Sequence, residues 1–162
     1  MGRASVVRVI IGTVAVLAGF AVVERSVDAS TGPAGSCVPT EVHALPPPGD
    51  TVAVRSGPTM NSPMIGVLRS RAAVHLSGGQ GGWAHIALTD APHLDGWVPA
   101  DQLWVDVEAG RALHSLPGPL GRKLGMSDGD TGSFRVLGCH GPWLHVINAR
   151  AGAVWIDSRQ SS

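Results

Sequence analysis

The chain has 162 residues, with twelve Lys and Arg balanced by twelve Asp and Glu, and a pI near 7.1. No whole-molecule field draws such a chain to nucleic acid or to an acidic surface, so nucleic acid is not an expected partner. With 44% hydrophobic residues the composition is not that of a disordered chain; 22 Gly, 12 Pro and only 15% charged residues favour short strands and turns over long helices.

Arg3 and Arg8 precede an uncharged apolar run over residues 9–23, the layout of the n-region and h-region of an export signal. Compact residues at Val27 and Ala29 predict cleavage between Ala29 and Ser30. The alternative is an uncleaved anchor formed by residues 9–23, although a spanning helix takes about 20 apolar residues and this run is shorter. Residues 1–29 are therefore expected to be a signal peptide or membrane anchor. The protein is expected in the periplasm or the extracellular envelope, touching a membrane only through that segment if it is retained. Residues 30–49 are rich in Ser, Thr, Gly and Pro and end in Pro46-Pro47-Pro48; with neither helical nor strand periodicity they predict an extended Pro/Gly-rich arm. Outside the cytosol, Cys37 and Cys139 have only each other as partners, which predicts one disulfide tying the arm to the far half of the chain. Two free thiols are the alternative.

From Asp50 onward the pattern is strand, turn, strand. Thr51-Val52-Ala53-Val54-Arg55 alternates, Ser56-Gly57-Pro58 turns, Met64 to Leu68 is a short apolar run, and Ala73 to Leu76 alternates again. A loose turn over Gly78 to Gly82 leads into a strand from Trp83 to Leu88, and Gly96-Trp97-Val98 closes the unit. Trp104 to Glu108 bridges to a second unit: Ala112 to His114, Lys123 to Met126, Ser133 to Leu137, Trp143 to Ile147 and Val154 to Ile156. The two units share a phrase. Gly81-Gly82-Trp83-Ala84-His85-Ile86 is answered 60 residues later by Gly141-Pro142-Trp143-Leu144-His145-Val146, and Trp97 is answered by Trp155. A tandem repeat follows, with modules at 50–104 and 105–158. Five or so short strands in each predict an all-β chain of two small bent barrels.

The first module resembles the bacterial SH3-like domain. The likeness rests on Val52-Ala53-Val54-Arg55-Ser56-Gly57-Pro58, on Met64-Ile65-Gly66-Val67-Leu68, on Gly82-Trp83-Ala84-His85-Ile86, and on Gly96-Trp97-Val98 with Leu103. The family pattern is Asn-Val-Arg-Ser-Gly-Pro, Ile-Gly-x-Leu, Gly-Trp-x-x-Val and Gly-Trp-Val, with Ala53 here in place of the asparagine. The second module departs further, with Ser115-Leu116-Pro117-Gly118 for the turn and Val154 for the last glycine. The resemblance implies tandem SH3-like barrels and a non-catalytic module of the cell envelope that binds peptidoglycan or protein partners. Within that frame Gly57 is expected to take a left-handed backbone angle, Gly66 to bend its strand, Trp97 and Trp155 to fill the cores, and Trp83 and Trp143 to stay partly exposed.

Strand alternation puts Trp83 and His85 on one face, and Trp143 and His145 on the equivalent face, as two matching patches. Together with Arg55 these four are the candidate ligand contacts. Seven histidines lack any His-x-His, Cys-x-x-Cys or Glu-x-x-His spacing, so no metal is expected. Cys139-His140 could pair a thiol with a base, but the Cys falls in an expected turn with no chain left to build a catalytic domain. Asp90, Asp95, Asp128 and Asp130 flank turns. No catalytic residue and no cofactor is expected. The expected partner is peptidoglycan, through stem peptide or glycan, or else another envelope protein.

Overall fold

The computed structural model describes residues 35–88, 94–128 and 132–160. The expected signal or anchor over 1–29, its cleavage at Ala29 and Ser30, and the apolar run 9–23 lie outside these residues. The described chain is all-β. Its strands are β1 (Gly35–Ala44), β2 (Val52–Arg55), β3 (Met64–Leu68), β4 (Ala73–Gln80), β5 (Trp83–Ala87), β6 (Asp95–Pro99), β7 (Leu103–Asp106), β8 (Ala112–His114), β9 (Lys123–Met126), β10 (Ser133–His140), β11 (Trp143–Asn148) and β12 (Gly152–Asp157). Single 3₁₀ turns occupy Ala100–Gln102 and Ser158–Gln160.

All twelve strands form one ladder, in the order β3-β2-β6-β5-β4-β1-β7-β10-β11-β12-β8-β9. Read inward from either end, equivalent strands follow in the same order, so the sequence repeat is a structural repeat. The expectation of two small barrels in tandem is corrected: the halves form one open ladder. β1 takes the outer edge of β4 and β7 takes that of β10, so each half continues into a linker strand instead of closing, and β3 and β9 are left as open ends.

The arm expected over 30–49 is also corrected, because Gly35–Ala44 is a ten-residue strand at the centre of the ladder. Its inward residues Val42 and Ala44 are fully buried. The strand pattern is obscured in the sequence by Pro39, which has no N–H to give. The β1–β4 register is irregular there, between Ser36 and Thr40.

Two tight turns replace the loose hairpin expected after Leu76. Gly78 to Gln80 belong to β4, and Gln80 faces Trp83 across Gly81 and Gly82, both at positive φ, as a two-residue hairpin requires. In the second half His140 faces Trp143 across Gly141 and Pro142, with Gly141 at positive φ. Cys139 therefore sits in β10 and not in a turn. Gly57 does not take the expected left-handed angle; a Cβ there would meet Ser62 Oγ at 2.9 Å. Gly66 leaves room for the Leu94 side chain.

The core runs continuously through both halves, with Val52, Val54, Leu76, Ile86 and Val98 in the first and Leu113, Phe134, Val136, Leu144, Val146 and Ile156 in the second. Trp97 and Trp155, expected inside, are only half-buried. In β6 the inward positions fall to Gly96 and Val98, in β12 to Val154 and Ile156, and alternation turns each Trp to the opposite face.

Candidate functional site

That opposite face carries the sequence-predicted site residues. In the first half Arg55 of β2 pairs with Trp97 of β6, and Trp97 pairs with His85 of β5. The result is a row of guanidinium, indole and imidazole across three strands. In the second half the register gives His114, Trp155 and His145 as the same row. The ring beside each repeated histidine is thus the cross-strand Trp, and not the Trp two residues earlier. His85 lies 4.9 Å from Trp97, tilted; His145 lies 4.5 Å from Trp155, nearly parallel at 11°.

A bulge shapes both rows. The β4–β5 register shifts between Leu76 and Gly78, and the β10–β11 register shifts between Val136 and Gly138, so Ser77 and Leu137 are the equivalent extra residues. Such bulges re-aim a side chain. Ser77 Oγ lies 2.8 Å from His85 Nδ1, and His85 Nε2 lies 2.7 Å from Asp95 Oδ1. In the neutral ring the carboxylate holds the proton on Nε2, so Nδ1 accepts from the Ser77 hydroxyl. The chain of three holds the ring of His85 between the Ser77 hydroxyl and the Asp95 carboxylate. The second half has Leu137 and Ala153 at the places of Ser77 and Asp95. Without those partners, burial holds the pKa of His145 below the ordinary value of 6.5.

The two Trp of the repeated phrase are placed differently. Trp143 meets His114 edge-on at 5.1 Å, and His114 Nδ1 donates to the Gly121 carbonyl at 3.2 Å. Trp83 reaches across to the other half, where it borders a crevice with Leu137, His145 and Trp155. Arg55 extends from its row and donates to the Ser62 carbonyl at 2.8 Å. Each half thus carries its own row, paired across strands with Trp97 or Trp155, and Trp83 of the first half borders the row of the second.

Cys37 and Cys139 form a disulfide with Cα atoms 5.8 Å apart, and Cys139 is buried. The bond fastens the start of β1 beside the β10–β11 turn, where Val38 N–H donates to the Gly141 carbonyl at 2.8 Å and Gly141 N–H to the Ser36 carbonyl at 3.0 Å. Because β1 is drawn there, it pairs with β7 only at His43 and Ala44. The two strands then diverge around a cavity of about 360 Å³, with Val105, Leu144 and Ile156 among its apolar walls and Glu41, Asp106, Asp157 and Arg111 among its charges. Arg159 bonds to Asp157 at 2.7 Å and holds that carboxyl below its ordinary pKa. Opposite charges over an apolar floor suit a small ligand that carries an ammonium and a carboxylate. Among the described residues no group of three or more His, Cys, Asp or Glu is placed to hold a metal ion.

The sequence reading missed Ser77, Asp95 and His114, and assigned Trp97 and Trp155 to the core. The apolar neighbours Val98, Val154 and Ile156 were the available signal, since they claim the inward face.

No family model matches the sequence, and no curated protein does. Among solved structures the chain is similar to NlpC2 from Trichomonas vaginalis, at 17% identity over 74% of this chain and 46% of that one, with a TM-score of 0.35. It is similar also to NlpC1 from Trichomonas vaginalis, at 16% identity over 78% of this chain and 46% of that one, with a TM-score of 0.33. The chain spans less than half the length of either.

Proposed function

We propose that this is an exported, non-catalytic binding protein of the cell envelope, built from two SH3-like modules, whose ligand is peptidoglycan. The observation that carries the reading is the doubled Trp and His row, half-exposed on the same face of both halves and joined through Trp83. Flat, amphipathic rings with polar edges suit the apolar faces and hydroxyl rims of a glycan. Two weak sites on one chain gain through effective concentration on a repetitive polymer, which gives the duplication a use. Stem peptide, the other recognisable part of the wall, fits the charged cavity beside Arg111.

The test is co-sedimentation of the mature protein with purified cell walls, wild type beside a Trp97→Ala, Trp155→Ala double variant. Loss of two aromatic contacts should weaken binding about ten-fold or more. Equal pelleting of the two proteins, or none by the wild type, sinks the proposal. An Arg111→Ala variant separates the ligand parts, since glycan binding survives it and stem-peptide binding does not. The second reading is an envelope protein partner without wall binding; it predicts a stoichiometric protein, and no murein fragment, on pull-down from envelope extracts.

A further inference from the structure

The ten large apolar side chains that are exposed among the described residues are not scattered. Eight of them lie in the two terminal hairpins, β2–β3 and β8–β9, at opposite ends of the ladder. The register makes them equivalent. Gly66 faces Val54 as Gly125 faces Leu113, so Ile65 matches Leu124 and Val67 matches Met126, all exposed. Each connecting loop adds one projecting side chain, Met60 at 67% exposure and Leu120 at 90%. Exposed apolar groups in such numbers mark a contact surface.

Charge is also segregated along the sequence. Residues 51–88 contain Arg55, Arg69 and Arg71 and no carboxylate, and residues 109–127 contain Arg111, Arg122 and Lys123 and none. All twelve Asp and Glu lie elsewhere in the chain. The neutral whole therefore carries two apolar hairpin stretches without a carboxylate, 52–69 with Arg55 and Arg69 and 112–126 with Arg122 and Lys123. We propose that the tips of these hairpins dock the protein on an anionic lipid bilayer, Met60, Ile65 and Leu120, Leu124 entering the headgroup boundary while Arg69, Arg122 and Lys123 meet lipid phosphates.

Two observations favour a bilayer over a second copy of the chain. The loop residues Met60 and Leu120 project furthest, at 67% and 90% exposure, and line none of the cavities bordered by Trp83, Trp104 or Arg111. A fluid layer accepts projecting side chains without a matching pocket. The open strand edges are also poor templates for pairing: each hairpin carries a register shift at the same place, between Val54 and Arg55 and between Leu113 and His114, and bulges of this kind deter strand addition.

The experiment uses the full chain and a readout local to the tip, because the apolar stretch at residues 9–23 could hold vesicles by itself. An environment-sensitive fluorophore is placed at Leu120→Cys under non-reducing conditions, with Asp101→Cys as the control position. Phosphatidylcholine vesicles with and without phosphatidylglycerol are then titrated in. The expected result is a blue shift at position 120 and none at 101, only with the anionic lipid and weakened by salt. Each of Arg122→Gln and Lys123→Gln should reduce the partition coefficient about five-fold. The proposal is overturned if the protein floats with vesicles while the probe at 120 is unchanged, or if no binding occurs. A blue shift that needs no vesicles and accompanies a dimer in sedimentation velocity assigns the tips to a second copy instead, and overturns it equally.

Discussion

Cutting the disulfide should cost this protein a large share of its stability. Cys37 and Cys139 are 102 residues apart in sequence, so the bond restrains nearly the whole described chain when it unfolds. For a loop of that length the chain-entropy relation gives about 16 cal/mol/K, or about 4.7 kcal/mol at 25 °C, against a total of roughly 5–15 kcal/mol for an ordinary domain. The native state loses less. From Thr40 to His43, β1 keeps its register with β4, so only the start of the strand, held by Val38 and Gly141, is released. The check is urea unfolding of the oxidised protein beside the reduced protein and beside Cys37→Ala, which avoids opening a cavity at buried Cys139. With a slope of about 1–3 kcal/mol/M, the midpoint should fall by roughly 2–5 M, and hydrogen exchange at the Val38 and Gly141 amides should quicken before that of the β1–β4 ladder. A difference below about 1 kcal/mol would refute the reasoning, because the constraint on the unfolded chain would then be absent.

Two further outcomes test the packing and the titration. A Cβ on Gly96 meets the Arg55 carbonyl and Val54 Cγ1, each at 2.7 Å, whereas one on Gly66 meets only the movable ends of Leu94; Gly96→Ala should therefore lower stability by about 1–3 kcal/mol and Gly66→Ala by less, measured by thermal or urea unfolding. Burial lowers the pKa of His145 in the folded state, so the unfolded chain takes up the proton first; its contribution is complete above about pH 6.5 and declines as pH falls from there towards the folded value. Unfolding free energies of wild type and His145→Gln, measured across that window, should converge as pH drops, and parallel curves would show that the ring is not desolvated.

Much of the ladder was legible because its strands alternate. Val52 to Arg55, Trp83 to Ala87 and Trp143 to Asn148 alternate buried aliphatic residues with less buried ones such as Arg55, Trp83, His85, Trp143 and His145, and the Gly-x-Trp-x-His phrase locates the same hairpin twice. β1 was hidden for a local reason: Pro39 and the irregular pairing around it break the period on which strand recognition depends. The Trp positions were misjudged through size. A large aromatic is expected inside a small domain, but this core is filled by Val, Leu, Ile and Phe134, and the indoles are left over for the other face. The Ser77, His85 and Asp95 chain was out of reach, since it depends on a bulge that shifts register by one residue, and such a shift leaves no mark in composition.

The two halves have kept their framework and divided their surface. Where the first half has Ser77 and Asp95 around its histidine, the second has Leu137 and Ala153; one imidazole is fixed by two polar partners and the other is stacked on indole and desolvated. Independent modules on a flexible linker could diverge in this way without consequence for each other. Here they cannot, because β1 and β7 fuse the halves into one ladder and the disulfide closes the seam. That closure brings Gly79 of the first half to within 4.0 Å of Cys139 Sγ for a Cβ built there, and it sets Trp83 against His145 and Trp155. The desolvation of His145 is thus partly a property of the seam. Loosening the seam through the disulfide should rehydrate the His145 ring, and an NMR titration of His145 in the reduced protein tests that link: its pKa should rise towards 6.5, and an unchanged value would detach the second site from the seam.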